Sequence, residues 1–195
     1  MDTKTFLGIE PIGQPGKADG RWAMVVKTSL VTGGQFLWGG AALAAAVSAM
    51  EQLSGRPCVW ATAQYLSYAR TNETMEIDVT LAVVGHQITQ ARAVGHVGDR
   101  EILTVNAALG ERAFEHRATF AKMPDVPMPS EIASREHRHP VENTIHERLD
   151  ERLVKGRELE DLNGEPNDGR TIMWARIPDV LSDVDAATLA VLGDF

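Results

Sequence analysis

The segment Gly39, Gly40, Ala41, Ala42, Leu43, Ala44, Ala45, Ala46, Val47, Ser48, Ala49, Met50 is almost entirely apolar and carries little side-chain bulk. Alanine is the strongest helix former, and the chain soon meets Gly55 and Pro57, the order of residues that stops a helix. A helix apolar on every side belongs in an interior, because it has no polar face to offer water. It is too short to cross a bilayer, which takes about 20 apolar residues. Its alanines and glycines allow another layer to approach closely. The expectation is an α+β chain in which a curled antiparallel sheet wraps one central helix.

The flanking segments supply that sheet. Arg21 to Thr28 is rich in strand formers and follows a turn-like stretch from Gly16 to Gly20. Beyond the helix, Cys58 to Ala69 reads as a long strand carrying Trp60, Tyr65 and Tyr68. Met75 to Val83 alternates large apolar with polar or small residues, the period of two that marks a strand with one buried face. Gly85 and His86 read as a two-residue hairpin turn of type II′. Gln87 to Val97 follows, with a small row of Ala91, Ala93 and Gly95 suited to lie against a helix. Gly98 and Asp99 then turn the chain into Ile102 to Leu109. Three hairpin-linked strands make an antiparallel meander rather than a parallel sheet.

Past residue 120 the character changes. Met123 to Pro129 is a proline-spaced extended segment, residues 131–170 are polar and charged, and Gly164 to Gly169 is a loop. Thr171 to Ile177 reads as a further strand, and Ser182, followed by Asp183 and Asp185, opens a helix carrying Ala186, Ala187, Leu189, Ala190 and Leu192. The organisation expected is a first domain over 1–120, a linker over 121–170, and the beginning of a second, incomplete domain over 171–195. A net charge of −8 argues against a nucleic-acid partner. No apolar stretch has membrane length, and the N-terminus lacks a secretory pattern. The single cysteine, Cys58, permits no internal disulfide and suits a reducing compartment, with the cytoplasm as the default location.

The order of strand, glycine pair, buried helix, aromatic strand and meander is that of a hotdog domain. The chain resembles the acyl-CoA thioesterase II and thioesterase-like family, whose members carry two hotdogs in one polypeptide. The matching pieces run in order from Phe36, Leu37, Trp38, Gly39 and Gly40 to Gln64 through Arg70, then Gly85 through Val94. They continue with Met123 to Glu131, Met173 to Arg176, and Leu189 to Asp194. One departure is that Ala41 stands where a glutamine commonly follows the glycine pair.

Thioester hydrolysis requires an attacking water and stabilisation of the oxyanion that forms at the carbonyl. No Gly-x-Ser-x-Gly elbow is present, so direct attack by carboxylate-activated water is the natural route. The resemblance places that carboxylate on Asp194, where a second central helix would begin; the plain alternative is a surface aspartate. Gly39 and Gly40 offer backbone N–H groups to a carbonyl at a helix start, and close helix–sheet packing is their other reading. Trp60, Tyr65 and Tyr68 line an acyl pocket or else belong to ordinary core. Arg70 and Arg92 are the candidates for the phosphates of coenzyme A. Cys58 reads as a structural thiol rather than a nucleophile, and His86 as a turn residue. His137, His139 and His146 with Glu142 have loosely ligand-like spacing without a paired metal motif, so neither a metal nor any cofactor is expected.

The leading expectation is therefore an acyl-CoA thioesterase-like hydrolase. A non-catalytic acyl-thioester-binding or assembly module is the alternative, suggested by Ala41 and by the missing strands of the second domain. A hotdog dehydratase or hydratase would need a His/Asp pair beside the helix, and residues 33–60 supply none. Hotdogs pair, so the chain is expected to form a homo-oligomer, most simply a two-fold dimer.

Overall fold

The structure, a computed structural model, describes residues 1–111, 118–119, 121–135, 142–158, 161, 164–178, 180 and 184–194. A short helix α1 (Thr3–Leu7) leads into β1 (Ile9–Pro11) and β2 (Asp19–Val25). The central helix α2 (Gly39–Ser54) follows, and then β3 (Cys58–Tyr65), β4 (Thr74–Val84), β5 (Ile88–Val97) and β6 (Arg100–Gly110). These strands form one six-stranded sheet in the order β1-β2-β4-β5-β6-β3, and every neighbouring pair is antiparallel.

Alternation decides which face closes on the helix. Met75, Ile77, Val79 and Leu81 of β4 are buried, as are Ala91 and Ala93 of β5 and Leu103, Val105 and Leu109 of β6. One row crosses five strands: Trp22 opposes Ile77, Ile77 opposes Gly95, Gly95 opposes Leu103, and Leu103 opposes Tyr65. Directly paired residues project to the same face, so Tyr65 lies on the helix side with the rest of that row. The small row on β5 leaves the space that α2 occupies, and α2 contacts all six strands. Ala41, Ala44, Ala45, Ala46 and Ala49 are fully buried there, as the apolar run requires. Gly55 ends the helix at φ +65°, its N–H closing on Glu51 O at 2.9 Å.

Several local expectations shift. The long strand stops at Tyr65 rather than Ala69, and the first one at Val25 rather than Thr28. Three residues, Gly85 to Gln87, join β4 to β5, and Gly85 is not in the left-handed region, so no type II′ turn forms there. Gly98, at φ +56° between β5 and β6, takes the first-position conformation that such a turn requires.

The later part of the chain adds α3 (Ile145–Arg148), β7 (Asp150–Lys155), β8 (Ile172–Arg176) and α4 (Ala186–Leu192). β7 lies within the stretch read as a linker, yet it pairs antiparallel with β8, Leu153 opposite Met173. Its start is held by charge: Arg135 meets the almost fully buried Glu151 at 3.1 Å, and Asp150 takes Arg152 at 3.1 Å and Arg176 at 2.8 Å. Ile145 is fully buried in the main core, and its N–H donates to Val31 O at 3.1 Å. The helix expected to open at Ser182 begins at Ala186, capped by Asp185, whose carboxylate accepts from Thr188 N at 2.7 Å; Ser182 and Asp183 lie outside the described residues.

Candidate functional site

A helix start leaves its first amide donors without intrahelical acceptors. At α2 the preceding residue, Trp38, provides no side-chain cap, though its carbonyl accepts from Ala41 N at 3.0 Å and Ala42 N at 3.1 Å. Gly40 N–H donates instead to Asp194 Oδ2 at 2.8 Å, across 154 residues of sequence. A carboxylate is well placed at this positive end of the helix dipole. Gly39 N–H and Asp194 Oδ1 have no hydrogen-bond partner among the described residues. A carboxylate oxygen therefore stands beside an uncommitted backbone donor, the pairing that base-assisted attack on a carbonyl uses.

The packing of α4 on α2 brings Asp194 to this point. The Trp38 indole Nε1 donates to Val191 O at 2.8 Å, and the Thr3 and Thr188 hydroxyls pair at 2.8 Å. Gly40 makes the approach possible: a Cβ there would stand 2.4 Å from Ala190 O and 2.8 Å from Val191 O. At Gly39 a Cβ would meet Asp194 Oδ2 at 2.8 Å and the Tyr65 ring at 3.3 Å. Asp194 thus follows the C-terminal end of α4 and faces the start of α2, rather than standing where a second helix begins.

Tyr65 completes the group. Its hydroxyl donates to Gly39 O at 2.9 Å, and burial together with the negative charge of Asp194 pushes its phenol up to about 12. It stays a neutral donor throughout the physiological range. Of the three aromatics read as pocket lining, only Tyr65 is brought to the helix start. Trp60 pairs with Ala108, on the opposite face of β3 from Tyr65 and 57% exposed, because successive side chains alternate. Tyr68 lies past the end of β3, with its ring 4.7 Å from that of Phe36.

The remaining candidates lie elsewhere. Arg92 is exposed, opposite Thr80 and Asn106, on the face of β5 turned away from α2. Cys58 is partly buried with its thiol pushed up by burial, and its N–H donates to Glu51 Oε1 at 2.7 Å. His146 packs edge-on against the Trp38 ring at 5.3 Å, while His137 and His139 lie outside the described residues. Among the described residues no group of His, Cys, Asp and Glu is placed to hold a metal. A cleft of about 600 Å³ opens at the β7–β8 hairpin, lined by Met128, Arg152 and Trp174 among others, and none of Gly39, Gly40, Tyr65 or Asp194 borders it. Sequence reasoning missed the roles of Trp38 and of Gly40 as an approach point for α4; no local signal marks a contact made over so long a separation.

No protein-family model and no curated protein sequence matches the chain. Solved structures do. A candidate thioesterase from Novosphingobium aromaticivorans matches with a TM-score of 0.80 at 28% identity, over 95% of this chain and 71% of that one. A conserved protein of unknown function with a hot dog fold from Alicyclobacillus acidocaldarius matches with a TM-score of 0.78 at 19% identity, over 98% of this chain and 68% of that one. The smu.793 protein from Streptococcus mutans, bound to acetyl CoA, matches with a TM-score of 0.50 at 13% identity, over 54% of this chain and 91% of that one. The fold is a hotdog, and thioesterases and a thioesterase-superfamily member are among the structures it resembles.

Proposed function

We propose that this protein is a thioester hydrolase of the acyl-CoA thioesterase II kind, converting acyl-CoA and water to a carboxylic acid and coenzyme A. The observation that carries the reading is the convergence of Asp194, Gly39, Gly40 and Tyr65 at the start of α2. Gly40 N–H holds one oxygen of Asp194, and the other orients the attacking water and takes its proton. Gly39 N–H receives the substrate carbonyl and the oxyanion that develops on it. Tyr65, hydrogen-bonded to Gly39 O, fixes the glycine and forms one wall beside the acyl group. As the carbon–sulfur bond breaks, the proton passes from Asp194 to the departing thiolate. No cofactor takes part. The acetyl-CoA held by the Streptococcus neighbour supports the ligand class.

The alternative, a binding module without turnover, is favoured by one observation: Ala41, fully buried, puts no polar group beside the glycine pair. Hydrolysis assays over short, medium and long acyl-CoAs decide between them. Turnover lost in Asp194→Asn supports the enzyme; a ligand-induced rise in Tm with no turnover supports the module. We read residues 1–120 as one hotdog, and β8 and α4, with β7 drawn in from the stretch 121–170, as the start of a second. β3 is an edge strand with Val59 and Trp60 exposed, and pairing of two copies there covers it. Light scattering that gives a monomer would reject this pairing.

A further inference from the structure

Where the loop before α2 meets the segment after β3, two aromatic rings and two arginines cluster, and their hydrogen bonds are unequally committed. The chain doubles back between Val31 and Leu37, Thr32 N–H donating to Phe36 O at 2.8 Å, and Phe36 then pairs with Arg70. Leu37 N–H donates to Ala69 O at 2.8 Å, and the Thr71 hydroxyl to Gln35 Oε1 at 2.9 Å, so the two loops are laced together. The Phe36 ring lies over Gly34, where a Cβ would stand 3.0 Å from it. Phe36 and Tyr68 are inclined at 60°, and they remain 38% and 46% exposed.

The arginines differ. Arg100 sits 5.5 Å from the Tyr68 ring and directs its donors to Tyr68 O and to the Glu73 carboxylate at 2.9 and 3.0 Å. Arg70 stands over both rings, 5.8 Å from Phe36 and 5.3 Å from Tyr68. Its guanidinium makes one long hydrogen bond, 3.4 Å to the Tyr68 hydroxyl, and no other hydrogen bond among the described residues, although its charge reaches the Glu73 carboxylate. An arginine held over aromatic rings with its fork uncommitted suits a phosphate.

We propose that Arg70, held in place over the Phe36 and Tyr68 rings, binds a phosphate at the nucleotide end of coenzyme A. This rests on the acyl-CoA reading of the site at Gly39. Phe36 precedes Gly39 by three residues and Tyr68 follows Tyr65 by three, so each span is at most about 11 Å. The thioester site at Gly39 and the Arg70 cluster are therefore close enough for one pantetheine arm to reach both. Arg92 faces away from α2 and does not serve this ligand.

The test titrates the full chain and its Arg70→Gln and Phe36→Leu variants with coenzyme A, adenosine 3′,5′-bisphosphate and 5′-ADP by calorimetry. A second arm compares kcat/KM for an acyl-CoA with that for the matching acyl-pantetheine. Arg70→Gln is expected to raise the Kd of coenzyme A and of adenosine 3′,5′-bisphosphate about 10-fold. The preference for acyl-CoA over acyl-pantetheine falls by the same factor, and Arg70→Lys recovers part of it. A purely structural stack would slow both substrates equally, and that result, or an unchanged Kd, overturns the proposal. Binding of 5′-ADP as tight as that of coenzyme A overturns it in favour of a free nucleotide. If the wild type hydrolyses neither thioester, the proposed activity fails, while Arg70-dependent binding of coenzyme A still upholds the subsite.

Discussion

Gly40→Ala tests how α4 is seated on α2. The new Cβ would stand 2.4 Å from Ala190 O, 2.8 Å from Val191 O and 2.9 Å from Trp38 Nε1. Two of these are backbone atoms, so no rotamer change relieves them. Restoring ordinary contact moves α4 by about 1 Å, which is enough to break the 2.8 Å bond from the Trp38 indole to Val191 O. Overpacking of this kind costs about 1–3 kcal/mol, and an unpaired buried donor about 1–3 kcal/mol more. The better helix propensity of alanine returns about 1 kcal/mol. The net loss is about 1–5 kcal/mol, or roughly 2–20 °C in Tm for a chain of this size. Gly39→Ala is the matched comparison. Its Cβ meets the ends of two side chains, Asp194 and Tyr65, which swing aside, so Tm changes by no more than about 2 °C while Asp194 loses its position. Calorimetric melts of both variants, with urea titrations as a check, decide the matter. A Gly40→Ala protein melting at or above the wild type would refute the argument.

Asp194→Asn keeps an acceptor for Gly40 N–H and removes the base. Acyl-CoA turnover should fall about 10²–10⁴-fold with the melting profile nearly unchanged, and undiminished turnover would sink the assignment. Hydrogen bonds from Arg152 chiefly, with Arg176 and Ser134 assisting, hold the Asp150 carboxyl down at about 2, against an ordinary 3.8. Its folded value lies below its unfolded one, so its stabilisation is complete above about pH 4 and is lost as pH falls through about 2; it amounts to at most about 2 kcal/mol. Urea titrations from pH 5 to pH 2 should show a shallower acid loss in Asp150→Asn than in the wild type, and identical slopes would contradict this.

Much of the six-stranded sheet and its central helix is legible along the chain because its signals are local. The Ala-rich run marks a buried helix, the alternation in Met75 to Val83 marks a one-sided strand, and Gly55 marks a stop. Turn geometry was less legible. Gly85 and Gly98 both precede a polar residue, yet only Gly98 takes the positive φ of the expected turn. The charged stretch before β8 hid β7, because its residues Asp150, Glu151 and Arg152 are paired within ion bridges rather than with water, and composition does not register pairing.

The burial of the central helix was determined by residue type alone: small apolar side chains in continuous order leave so short a helix no stable place except in an interior. Which of its groups stand ready for chemistry was decided by tertiary structure. Asp194 reaches Gly40 only because α4 packs against α2 at a point where no Cβ intervenes. Tyr65 rather than Trp60 turns toward the glycines only because strand register puts it in the row of Leu103 and Gly95. Both outcomes depend on contacts between distant segments. Such contacts form when buried surfaces fit, and no single stretch of sequence records the fit.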